Sequence, residues 1–126
     1  GETGIRLSDG HWFLDAYYDH TSHEICLDFT GLSKALSTRA GVKPRAPVTI
    51  KPGAPVTLRL FSDRSIFEIY ANDELVISTA AFFHDPENLK ARLFDRNGSK
   101  TQVTVDAWEM QPLKWTAYQP AGKAKK

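Results

Sequence analysis

Three charged residues stand close together in an otherwise strand-forming run: Asp63, Arg64 and Glu68, within residues 55–83, PVTLRLFSDRSIFEIYANDELVISTAAFF. Glu68 lies between Phe67 and Ile69, and Tyr70 follows. Carboxylates accept hydrogen bonds and a guanidinium donates them, so the set suits the vicinal hydroxyls of a sugar, with an aromatic ring beside it. Tyr70 shares the expected strand face of Glu68, and Trp12, Tyr17 and Tyr18 are further rings available to such a site. A plainer reading has Asp63 and Arg64 capping a turn while Glu68 pairs with Arg59 or Arg64 on a sheet exterior. Both readings stand on the residues alone. Paired carboxylates also serve glycoside hydrolysis, for which Asp15, Asp63 and Glu68 are candidates. Their separation is not given by spacing, and no catalytic residue is assigned.

The elements that must carry these groups are strands. Val56–Phe61, Ser65–Ala71 and Leu75–Thr79 are short apolar runs rich in branched and aromatic residues. In the middle run Phe67, Ile69 and Ala71 alternate with Ile66, Glu68 and Tyr70, the period of a strand with one buried face. A three-residue gap led by Asn72-Asp73 suits a tight hairpin, and the whole reads as an antiparallel meander. Glu68 must then face solvent or be paired, because burying a lone carboxylate costs several kcal/mol.

Before the meander, Gly4–Leu7, His11–Tyr18 and His23–Phe29 read as strands, with Trp12, Leu14 and Ala16 opposite Phe13, Asp15 and Tyr17. Leu32–Thr38 is too short for a stable helix and is read as a turn or loop. Val48–Ile50, among prolines 44, 47, 52 and 55, is a candidate edge strand. After the meander, Leu89–Phe94 and Gln102–Trp108 are expected to form a hairpin about Asn97-Gly98. The fold class is therefore all-β: a two-layer antiparallel sandwich, concanavalin- or lectin-like, with little or no helix. Met110, Leu113, Trp115 and Tyr118 are expected to cover one end. Residues 1–118 make the module, and 119–126, with Lys123, Lys125 and Lys126, a flexible basic tail.

Length and charge narrow the functions. At 126 residues the chain is one domain, and 16 basic against 15 acidic residues call for neither nucleic acid nor an anionic membrane. There is no nucleotide-binding loop, zinc spacing or nucleophile elbow. His20 and His23 have metal-ligand spacing without a companion sulfur pair, so no metal or cofactor is expected. Cys26, the single cysteine, shares a strand face with Glu24 and Asp28 and is read as a covered, unreactive thiol. No apolar run is long enough to cross a bilayer and no signal-peptide pattern is present. The opening Gly1-Glu2-Thr3-Gly4 reads as one piece of a longer protein.

The central strands resemble the signature of the carboxy-terminal β-sandwich in the invertase, levanase and inulinase family of glycoside hydrolases. The resemblance rests on Leu58, Arg59, Phe61, Asp63, Arg64, Ser65 and Glu68, with conservative matches at Ile69 and Tyr70 and further matches at Asn72 and Asp73. Glu74 stands where that pattern has glycine, which implies a different turn. Leu27-Asp28-Phe29-Thr30 resembles the family's leucine-aspartate-arginine-serine/threonine strand, and Ala107-Trp108-Glu109-Met110 its closing segment. Together they cover roughly residues 5–115. The resemblance implies that hydrolysis belongs to a separate five-bladed propeller, absent here, so this chain alone is inactive. It implies either a fructan-binding module for levan or inulin, recognising terminal fructose, or a sandwich that packs against its propeller without a ligand site. It also implies an extracellular or cell-surface setting within a larger secreted protein.

Overall fold

A computed structural model describes residues 1–37, 40–51, 53–63, 66–98 and 103–109. Nine strands lie in this part of the chain: β1 (Glu2–Ser8), β2 (Phe13–Asp19), β3 (Glu24–Asp28), β4 (Arg45–Pro47), β5 (Val56–Asp63), β6 (Ile66–Ala71), β7 (Glu74–Ala80), β8 (Lys90–Arg96) and β9 (Val103–Glu109). They form a five-stranded sheet, β4-β3-β2-β1-β8, and a four-stranded sheet, β7-β6-β5-β9. The only helical element among the described residues is a short 3-10 turn, Pro86–Asn88. The expected two-layer sandwich is what the chain forms.

Alternation explains the core. Leu14, Ala16 and Tyr18 of β2 and Ile25 and Leu27 of β3 meet Leu58 and Leu60 of β5 and Phe67 and Ile69 of β6, all buried. Burying a side chain of this size contributes about 1.5–3 kcal/mol. Residues 31–36 turn through bonds such as Leu36 N–H to the Ser33 carbonyl (3.2 Å) and Ser37 N–H to the same oxygen (2.9 Å), so the loop reading holds there.

Three local expectations are corrected. The edge strand is Arg45–Pro47, not Val48–Ile50; Ala46 and Arg45 pair with Ile25 and Cys26, and Val48 adds only one bond, to the His23 carbonyl (3.1 Å). The β6–β7 connection is the two-residue Asn72-Asp73 turn, with φ of 50° and 69°, and Glu74 already begins β7. Glycine is therefore not needed at position 74. The third correction concerns Asn97-Gly98. Both residues are left-handed as a hairpin turn requires, yet β8 pairs with β1 while β9 runs parallel to β5 in the other sheet. That turn lies in a crossover between the layers, and β5–β9 is the one parallel pair among the described strands.

The outer face of the larger sheet is also closed over. Tyr17 and Phe94 flank Gly4 in register, their rings 6.1 Å apart, and a Cβ at Gly4 would come within 2.6 Å of the Tyr17 Cβ. Arg96 lies over both rings, at 5.3 and 4.3 Å. Arg6 lies 3.8 Å from the Phe13 ring centroid. Rings and guanidinium groups thus cover a layer that contains Asp15, Tyr17 and Cys26, each 1% exposed or less.

Candidate functional site

The outer face of β5, β6 and β7 holds the candidate site. Because Phe67, Ile69 and Ala71 fill the core, the intervening Ile66, Glu68 and Tyr70 face away from it. Register places Glu68 between Phe61 of β5 and Ser78 of β7. The Tyr70 ring meets Phe61 edge-on, with centroids 5.4 Å apart and planes at 80°. Glu68 is half-buried, and its carboxylate has no hydrogen-bond or ion-pair partner among the described residues.

Arg59 lies opposite Tyr70 and forms an ion pair with Asp73 of the hairpin turn, Nη1 to Oδ1 3.0 Å. The turn is braced at its base by Asn72, whose Oδ1 accepts from Thr57 N–H while its own N–H donates to the Thr57 carbonyl, both 2.9 Å. Arg64 and Ser65 lie outside the described residues, as do Met110, Leu113, Trp115, Tyr118 and the tail; Asp63 is described only as the last backbone position of β5. The arrangement offers an acceptor with two oxygens, framed by two rings and a serine. Sugar hydroxyls can donate to such a carboxylate while a C–H face rests on a ring.

The remaining predicted rings do not join Glu68. Trp12 precedes β2, packs against the core and stacks on His84 at 6.2 Å. Tyr18 points into the core, 3% exposed, with its hydroxyl 2.9 Å from His23 Nδ1. Tyr17 is 1% exposed beneath Arg96. Neither tyrosine ring offers a face to a solvent-borne ligand. Alternation along one strand gives a residue's face, but pairing decides its neighbours, so Phe61 and Ser78 had no signal beyond their strand parity.

Asp15 is likewise remote from Glu68. It receives Arg6 through two bonds of 2.7 and 2.8 Å and Arg96 through one of 3.4 Å. Its opposite neighbour on β3, Asp28, accepts from the Thr30 hydroxyl (2.6 Å) and faces Lys43 at 3.3 Å. Burial pushes the Asp28 carboxyl up, but these donors outweigh it and hold the group below its ordinary range. The two carboxylates are structural, each neutralised by its own cation. Cys26 is fully buried, and burial keeps its thiol protonated.

His20 Nε2 lies 2.9 Å from the Thr3 hydroxyl, which also donates to Asp95 (3.1 Å). Since that hydroxyl proton goes to Asp95, the imidazole is the donor in the first bond. Desolvation, with help from the amino terminus, holds His20 below its ordinary value.

Residues 1–109 match the family model described as glycosyl hydrolases family 32 C terminal. No curated protein and no solved structure matches the chain.

Proposed function

Since this chain belongs to the family of C-terminal domains of family 32 glycosyl hydrolases, we propose that it is a non-catalytic module binding β-fructan, levan or inulin, through the terminal fructose. The observation that carries this reading is Glu68: a half-buried carboxylate, unpartnered among the described residues, framed by Phe61, Tyr70 and Ser78. A carboxylate that only served folding would gain from a cation beside it, as Asp15 does. In this reading Glu68 accepts from two sugar hydroxyls and Tyr70 borders the ring. Asp63 and Arg64 supply the remaining polar contacts, and the catalytic propeller of the parent enzyme, acting outside the cell, cuts the chain that the module holds.

A second reading has support from β6 and the segment after β7. Ile66 and Phe82 are each 48% exposed, an apolar feature that suits packing against a neighbouring domain. Retention on immobilised levan and inulin separates the two. Retardation abolished by free fructose supports sugar binding. Free passage over both gels overturns it in favour of the packing role.

A further inference from the structure

At the pole where β2 ends and β5 begins, an open concavity of about 410 Å³ lies between the two sheets. Tyr18, His23 and Lys51 border it with Val48, Ile50 and Val56, and among the described residues no carboxylate side chain lines it. This is the lower part of the size range of small-ligand sites. It is remote from the Glu68 face, since Tyr18 reaches it from the core side of the larger sheet.

Its polar groups include donors. The Tyr18 hydroxyl and His23 Nδ1 lie 2.9 Å apart and share a hydrogen bond that fixes the ring. Burial keeps the Tyr18 phenol protonated. Lys51 adds an ammonium and Thr49 a hydroxyl. His23 is held rigidly: its N–H donates to the Asp19 carbonyl (2.9 Å), its carbonyl accepts from Val48 (3.1 Å), and Tyr18 holds the ring. Its φ of 58° is the left-handed position that closes the turn between β2 and β3.

A second hollow of about 430 Å³, across the ridge of Val48 and Thr49, gives a contrast. Glu74 lines it and, among the described residues, no lysine, arginine or histidine does. Charge thus sorts the two hollows, and only the first suits an anion. We propose that the His23 concavity binds a small carboxylate with a compact apolar body, the carboxylate meeting the Lys51 ammonium and the His23 imidazole and the body resting on Val48 and Ile50. The site is independent of the fructan reading.

The test is a nuclear magnetic resonance titration of the whole chain with cyclohexanecarboxylate, with acetate and cyclohexylmethanol as parallel arms. Saturable shifts at the Val48 and Ile50 methyls and the His23 ring are expected. Cyclohexylmethanol should bind about tenfold more weakly, since it lacks the charge. Acetate should not saturate over the same range. Lys51→Gln should weaken cyclohexanecarboxylate about fivefold without changing the melting temperature, and Glu68→Ala should leave the titration unchanged. No saturable shift at these residues, equal binding of the neutral alcohol, or indifference to Lys51→Gln overturns the proposal.

Discussion

Tyr70 stands edge-on to Phe61, 5.4 Å between ring centroids, and Phe61 is the register partner of Glu68. The carboxylate therefore sits in an aromatic corner built from two adjacent strands. If that corner receives a sugar, Tyr70→Ala should lower fructan affinity about tenfold, because the ring supplies both contact area and the orientation of Phe61. Tyr70 is not a core residue, so the melting temperature should move little. Calorimetric titration beside a thermal melt reads both.

The strand runs and their faces were legible from alternation: Phe67, Ile69 and Ala71 inward, Glu68 and Tyr70 outward. So was the loop nature of residues 31–36. What alternation could not supply was pairing between distant strands. Asn97-Gly98 has the turn chemistry of a hairpin, yet β8 and β9 leave it for different sheets, where they pair with β1 and β5. The same gap explains the rings. Tyr17 and Tyr18 belong to the other layer, where Tyr17 covers Gly4 and Tyr18 fills the core, and Trp12 lies before β2 stacked on His84.

Arg6 and Asp15 form a bidentate pair in which the carboxylate side chain is 1% exposed and the guanidinium 29%. Arg6→Ala should destabilise the fold by about 3 kcal/mol, because it strands a buried charge that Arg96, at 3.4 Å, only partly compensates. Denaturant unfolding checks this. A loss below about 1 kcal/mol would mean that Arg96 suffices.

Asp28 binds its proton less readily folded than unfolded, the Thr30 and Lys43 donors outweighing burial. The unfolded chain therefore takes up more protons as the pH falls. The contribution is complete above the ordinary carboxylate range, at about pH 4 and higher, and is lost as the pH drops through the lower folded value. Melting temperature against pH should fall more steeply below about pH 4 for the native chain than for Asp28→Asn. Parallel curves would remove Asp28 from acid unfolding.

Asn72 closes the β6–β7 turn at φ 50° while its side chain accepts from Thr57 N–H. Asn72→Ala loses that bond and places a Cβ residue without a local polar partner in the left-handed region. A loss of about 1–2 kcal/mol is expected by chemical denaturation, and Asn72→Gly should recover part of it by relieving the backbone.

The most direct measurement compares the native chain with Glu68→Gln in calorimetric titrations with levan, inulin and fructose. Saturable heat is expected for the native chain with a fructan, and at least about a tenfold loss of affinity for Glu68→Gln at an unchanged melting temperature. Equal affinity of the two proteins, or no saturable heat from the native chain with any of the three sugars, would contradict a fructan site at Glu68.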